Sequence, residues 1–384
     1  MRIAYFAYTN LNNHGAPRIH VRAIAEGLAD RGHEITLIVP AGFGGIEHKN
    51  IRTVEIAQRN LISLLWARKA SNWLSQNRGN FDAVYLREFY YSTSIVKASN
   101  DIKLPIILEI NGSLKSEKNV SAEKLKYRLI GDFDWNFFLR RRLKRADKII
   151  AVTPGLVDEY SSLIDDREKF TFLPNGVDIN LFAPAMEKHK LREELDLSRF
   201  NPLLGAVGSI LPYHIESPIL TAIEILEKKY PDLGFVFVGG GPGKEALMNK
   251  VQNSSFKDKI IFRGPVPIED SVKYISSLDL ALAWSAKSSA IGGWPVRLSA
   301  YSACGIPIVG PDWGTYRIFE KAGVLNCAKR GTAENLAKKA KDILENPDIA
   351  EEMGLKGRKY AVENLSWESI VNRTEEILFE LVNN

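Results

Sequence analysis

Apolar residues along this chain follow two rhythms that take turns. Short continuous runs such as RIAYFAY (2–8), EITLIVP (34–40), FDAVYLRE (81–88) and LPIILEING (104–112) read as strands buried on both faces. Between them apolar positions recur every three or four residues. In IHVRAIAEGLADRGH, Val21, Ile24, Ala25 and Leu28 fall at helical spacing and Gly32 supplies a stop. ADKIIAVTPGL (146–156) and KFTFLPNGVDINLFAP (169–184) continue the pattern, the latter carrying the turn formers Pro174, Asn175 and Gly176 and ending in Pro184. After the charged stretch MEKHKLREELDLSRFN (186–201) the rhythm restarts with PLLGAVGSI, SPILTAIEILEKKYP, GFVFVGGGPG and KIIFRGPVP. Strands alternating with helices predict parallel sheets with helical crossovers.

The expected architecture is therefore α/β, with two Rossmann-like domains: 1–185, 186–365, and a terminal segment 366–384. In that last segment Trp367, Ile370, Val371, Ile377 and Leu378 fall on one helical stripe, which predicts a helix packing back on the first domain. A chain of 384 residues is too long for one ordinary core, in keeping with two domains.

Composition narrows the class only slightly. Hydrophobic content of 45% and charged content of 25% are ordinary for a globular protein, and no apolar run approaches the about 20 residues that span a bilayer. The opening MRIAYFAYTN lacks the layout of a signal peptide, and two cysteines, Cys304 and Cys327, make no disulfide framework. A cytoplasmic setting is the expectation. A formal charge of +5 does not imply nucleic acid. The segment FFLRRRLKRADK (137–148), however, places Arg140, Arg141, Arg142, Lys144 and Arg145 beside Phe137, Phe138 and Leu139. It suits a solvated helix face or peripheral contact with an anionic membrane surface.

In open parallel sheets, ligands sit beyond the carboxyl ends of the strands, with helix N-termini aimed at anionic groups. Four loops qualify. NNHGAPR offers Gly15 before a helix. VGGGPG (238–243) has four glycines but neither dinucleotide nor P-loop spacing. AVGSILPYHIESP places Ser209 and His214 between a strand and its helix. SSAIGGWPVRLSAYSACG has Gly292 and Gly293 just before a helical run with Arg297 in its first turn. A guanidinium there can grip phosphate with paired donors, helped by the helix dipole. DFD (132–134) resembles a metal-binding D-x-D, but it precedes a helical stretch and reads as carboxylates at a helix start. Neither the histidines nor the cysteines show metal-ligand spacing, so no metal or cofactor is expected.

Taken in order, HGAPRIHVRAIAEGLADRGHEITLIVP, RADKIIAVTPGL, FLPNGVDINLFAP, FVFVGGGPGKEAL, FRGPVPIEDSVKYISSLDLALA and SACGIPIVG resemble the GT-B-fold glycosyltransferases, specifically the retaining group called family 4. The resemblance covers nearly the whole chain. It implies two domains facing a central cleft, an acceptor domain (1–185) and a nucleotide-sugar donor domain (186–365), with sugar transfer that retains anomeric configuration and needs no metal. For the donor it implies Gly15, Ser209, His214, Gly239, Pro265, Val266, Gly292, Gly293 and Arg297. For a glycan, lipid-linked or small-molecule acceptor it implies His14, Arg18 and Glu88.

Several positions depart from the family. Its E-x7-E carboxylates align with Gly292 and Ala300, and its Arg and Lys after the second-domain VG strand are replaced by Ser209 and a stretch without lysine before Glu216. Where many members carry a catalytic-site histidine, LEINGSL has Asn111, with Glu109 two residues earlier. Asn111 can hydrogen-bond a sugar but cannot act as a base, so Glu109, Glu88 and His14 are the acid–base candidates. These departures leave four readings open. The donor is held by main-chain amides with Arg297 and His214, or its leaving group differs, such as a nucleoside monophosphate. Alternatively the chain is a non-catalytic relative binding a partner or glycan, or a nucleotide-sugar epimerase on the same fold.

Overall fold

The computed structural model describes residues 1–13, 15–58, 63–113, 134–216, 218–287 and 292–383. The chain forms two compact units. One comprises Met1–Asn175, Ile291–Trp294 and Trp367–Asn384; the other comprises Gly176–Ala290 and Pro295–Ser366.

In the first unit, β1 (Arg2–Phe6), β2 (Glu34–Pro40), β3 (Ile51–Ile56), β4 (Ala83–Arg87), β5 (Ile106–Ile110), β6 (Lys148–Ala151) and β7 (Phe170–Phe172) form a parallel sheet in the order β3-β2-β1-β4-β5-β6-β7. In the second, β8 (Leu203–Val207), β9 (Gly234–Val238), β10 (Ile260–Arg263), β11 (Leu280–Leu282), β12 (Ile308–Pro311) and β13 (Leu325–Ala328) repeat the plan as β10-β9-β8-β11-β12-β13. Continuous apolar runs became strands because both faces are covered: every residue of β5, β8 and β9 is buried. In each sheet the chain first builds outward on one side, then returns to the other side of its first strand. Connections from β1 and β4, and from β8 and β11, thus leave in opposite directions, which opens a crevice at their carboxyl ends.

Two hydrophobic cores follow. One joins β1, β2 and helix Ala16–Asp30 to Ile370, Val371, Ile377 and Leu378 of the terminal helix Trp367–Asn383. The stripe read from the sequence therefore packs within the first unit, and His33 anchors it by contacting Glu375 at 2.7 Å. The second core is built around Phe235, Phe237, Ile219, Ile223 and Leu336.

The division falls at Asn175/Gly176, ten residues before the expected 185/186. Hydrogen bonding explains the difference. The Val177 N–H donates to the Leu365 carbonyl at 2.7 Å, and Arg358 Nη1 donates to the carbonyls of Ile179 and Phe182. The stretch after Gly176 is thereby tied to the second unit.

Gly27 lets the first and terminal helices approach closely: a Cβ there would lie 2.5 Å from Val371 Cγ2, a stiff β-branched side chain. Gly27→Ala is expected to lower the denaturation midpoint, overpacking of about 1–3 kcal/mol outweighing a helix-propensity gain of about 1 kcal/mol. In a Val371→Ala background the same change should stabilise. Equal effects in both backgrounds, measured by urea denaturation, would contradict this packing.

Candidate functional site

At the carboxyl end of β8 in the second unit, three of the anticipated donor residues meet. The first turn of helix Val296–Ala303 carries Arg297, whose Nη2 donates to the Ser209 carbonyl at 2.9 Å and whose Nη1 lies 3.3 Å from His214 Nε2. Ser209 contributes its main chain here. Tyr301, one turn further on, secures the strand end: its hydroxyl accepts the Val207 N–H at 2.7 Å and donates to the Val207 carbonyl at 3.1 Å.

His214 is buried in the short turn Pro212–His214, where its Nδ1 accepts the Leu211 N–H at 2.9 Å. Burial, then the Arg297 charge, push its pKa down to about 4, against hydrogen bonds to the main chain of Leu211 and Trp284. His214 is thus neutral at physiological pH, and Arg297 supplies the positive charge of this cluster. The Tyr213 ring packs tilted against His214 with centroids 4.4 Å apart, and burial raises its pKa despite the nearby guanidinium.

The glycine-rich loop plays a different part from the phosphate cradle its composition suggests. Gly239, at φ 131°, sits against the Gly208 carbonyl, where any side chain would collide. Its N–H is occupied by the carbonyls of Arg263 and Gly264 at 3.2 and 3.1 Å. These glycines allow the turns after β8 and β9 to pack backbone on backbone. Pro265 lies beside Gly240, close to where a Cβ on that glycine would be, and Val266 follows it on the loop after β10.

Gly292 and Gly293 belong to the first unit, apart from Arg297. The Gly292 carbonyl accepts the Ser113 N–H at 3.1 Å, and the buried Trp294 ring lies 5.9 Å from that of Phe172. Ala300, at the second family carboxylate position, is buried in its helix.

At the carboxyl edge of the first sheet, Gly15 (φ 143°) begins helix Ala16–Asp30 and Arg18 lies in its first turn. His14 falls outside the described residues. Glu109 is buried on β5, where its Oε1 meets His20 Nε2 at 2.6 Å. Burial alone would raise the Glu109 pKa, but His20, Arg87 and the nearby Tyr85 hydroxyl overcome it and the net shift is downward. Glu109, expected as an acid–base group, is thus an ionised carboxylate sealed against His20 rather than an exposed one. Asn111, just past β5, has both amide atoms buried with no partner among the described residues.

Glu88 also departs from expectation. Its side chain is buried against Arg142, with Arg142 Nη2 donating to Glu88 Oε1 at 2.9 Å and to Asp134 Oδ2 at 3.1 Å. Burial opposes the Arg142 charge, but Asp134 and Glu88 outweigh it, so its pKa is raised. Glu88 is held in this structural triad. Of the DFD stretch, Asp132 and Phe133 fall outside the described residues; Asp134 lies in the helical turn Asp134–Leu139, with its charge pointing inward to Arg142 and the Tyr91 N–H. Of the basic run, Arg142 is buried whereas Arg140, Arg141, Lys144 and Arg145 are exposed.

Residues 18–181 match Glycosyltransferase Family 4, and residues 187–360 match Glycosyl transferases group 1. The chain belongs to the family 4-type glycosyltransferases. A GDP-mannose-dependent alpha-(1-6)-phosphatidylinositol monomannoside mannosyltransferase of Mycolicibacterium smegmatis is 25% identical over 246 residues, 62% of this chain and 64% of that protein. The N-acetyl-alpha-D-glucosaminyl L-malate synthase of Bacillus anthracis is 21% identical, over 64% of this chain and 63% of that one. The chain thus matches somewhat less than two thirds of the length of these relatives. Among solved structures, Anabaena HepE in complex with UDP and glucose has a TM-score of 0.75 at 17% identity, covering 99% of this chain and 100% of that one. That likeness, together with the two parallel sheets, establishes the GT-B fold.

The sequence reading missed Arg87 and His20. Strand alternation was the available signal: Arg87 and Glu88 must face opposite ways, so selecting Glu88 for one face assigned Arg87 to the other. His20 carried no signal beyond helical spacing.

The lowered His214 pKa has a stability consequence. As pH falls from the usual 6.5 towards about 4, the unfolded chain takes up a proton that the folded chain refuses. Stability should therefore decline across this window by an amount on the order of 3 kcal/mol from this group. His214→Asn should flatten that part of the profile, measured by denaturant unfolding at pH 4–7; an unchanged slope would refute the buried neutral imidazole.

Proposed function

We propose that the chain transfers a sugar from a nucleotide-sugar donor to a glycan, lipid-linked or small-molecule acceptor, with retention and without a bound metal. The observation that carries this reading is the Arg297 guanidinium fixed on the Ser209 carbonyl beside neutral His214, at the point where the connections from β8 and β11 diverge. A guanidinium held there by its neighbours is preorganised to receive phosphate oxygens as charge builds on the leaving group. The names of the relatives support the donor class, since one is GDP-mannose-dependent and HepE was solved with UDP and glucose. A single guanidinium with a neutral imidazole also supports a leaving group of modest charge, in keeping with the missing family carboxylates and lysine.

Calorimetric titration with UDP, GDP, CMP and ADP is expected to find one that binds. Arg297→Ala should weaken that nucleotide about 10- to 100-fold, the value of roughly 1.5–3 kcal/mol for a hydrogen bond to a charged group. Failure of every nucleotide to bind the wild-type chain would overturn the donor assignment.

The acceptor reading includes peripheral membrane contact. Arg142, locked inward by Glu88 and Asp134, fixes the rotation of helix Arg140–Arg145 so that Arg140, Arg141, Lys144 and Arg145 face outward near the exposed Phe137. Among the described residues no helix is long and apolar enough to cross a membrane. Anionic phosphatidylglycerol vesicles should retain the chain at low salt and release it at high salt, and Arg140→Glu/Arg141→Glu should abolish retention. Equal retention by neutral vesicles would contradict this surface.

A further inference from the structure

We propose that the carboxyl edge of the first sheet holds an oxyanion of the acceptor, a carboxylate or a phosphate ester, with Arg87 as its principal ligand and Arg18 and Asn111 beside it. The inference rests on the sugar-transfer reading for the word acceptor, but its residues all belong to the first unit and none is in the donor cluster.

Strand alternation sets the argument. Glu88 turns to one face, where Arg142 and Asp134 satisfy it. Arg87 turns to the other, which it shares with Tyr5, Tyr85 and Glu109 through the register Tyr5↔Tyr85 and Arg87↔Glu109. There Arg87 Nη1 donates to Thr9 Oγ1 at 3.1 Å, joining the end of β4 to the loop after β1. That link crosses the point where the two connections diverge, the place where such sheets bind ligands.

Arg87 is only half buried, yet its Nε is sealed from solvent and has no partner among the described residues. No carboxylate among them comes within ion-pair distance of it; Glu109, its register neighbour, meets His20 through Oε1 at 2.6 Å and interacts with Arg87 only at longer range, its Oε2 having no hydrogen-bond partner among the described residues. Arg18, half buried at the start of the adjacent helix, repeats the pattern with a sealed, unpartnered Nε and no ion pair. Asn111, past the end of the next strand, leaves both amide atoms unpartnered.

Each sealed, unmatched donor costs about 1–3 kcal/mol. The same chain closes its other buried guanidinium, Arg142, with two carboxylates. Three open groups, two at the ends of neighbouring strands and one at a helix start, are explained together by a ligand that accepts hydrogen bonds and carries negative charge. A carboxylate or phosphate matches the planar fork of Arg87, and the N-terminus of helix Ala16–Asp30 favours the same sign. Neutral sugar hydroxyls would satisfy the donors but leave Arg18 without an ion-pair partner among the described residues, whereas the Arg87 charge is already balanced in part by Glu109.

The test is calorimetric titration of the full chain with glucose 6-phosphate, glucuronate and glucose. At least one acidic probe should bind at least tenfold more tightly than glucose, and the stronger of the two names the oxyanion. Arg87→Gln should erase that preference, Arg87→Lys should keep part of it, and Arg18→Gln should reduce it, with nucleotide affinity unchanged in all three. Should Arg87→Gln fail to fold by circular dichroism, Arg87→Lys and Arg18→Gln carry the comparison. Acidic probes binding no better than glucose, or a preference that survives these substitutions, would overturn the proposal. If no nucleotide binds the wild-type chain while the acidic preference remains sensitive to Arg87, the sugar-transfer reading fails and the oxyanion site stands.

Discussion

A parallel strand cannot hand the chain directly to its neighbour, so every connection in this protein is a crossover, and one direction reversal per sheet is unavoidable in the order observed. That reversal leaves an uncovered crevice between β1 and β4 and another between β8 and β11. Strand ends, helix N-termini and their polar groups gather at such crevices. Thr9 and Arg87 lie around the first, with Arg18 in the first turn of the helix that follows β1; Ser209, His214 and Arg297 lie around the second. The chemistry of each unit is therefore placed by topology before any particular side chain is chosen.

Charge is treated in two contrasting ways. Arg142 is closed on itself by Glu88 and Asp134, which orders the basic segment and contributes orientation more than net stability, since desolvation offsets most of the attraction. Arg297 is held by a carbonyl beside a neutral imidazole, so its charge remains available. The depressed His214 pKa and the available Arg297 charge are one arrangement: a protonated imidazole so close to the guanidinium would repel it.

Much of the architecture could be read along the chain. Strand runs, helix stripes, the two-unit plan and the packing of Ile370, Val371, Ile377 and Leu378 follow from periodicity, because burial on two faces and burial on one stripe leave different spacings. The cluster of Ser209, His214 and Arg297 was equally legible, since loops after strands in a repeated β–α plan must converge. Gly239 and Glu88 were harder. A glycine run looks alike whether it admits a phosphate or a neighbouring backbone, and the Gly208 carbonyl that decides the matter is remote in sequence. Glu88 looked like a free acid because Arg142 lies 54 residues away.

What the sequence by itself determined is the alternation of elements, the parallel sheets and the set of loops where ligands can bind, all consequences of local spacing and backbone geometry. Tertiary structure alone decided which polar groups in those loops are already matched. It buried Glu109 under His20, turned Arg142 inward, drew Gly292 to Ser113 and left Arg87 open. The physical reason is that a charge is satisfied or left available by partners brought from distant strands, and side-chain identity carries no record of who those partners are.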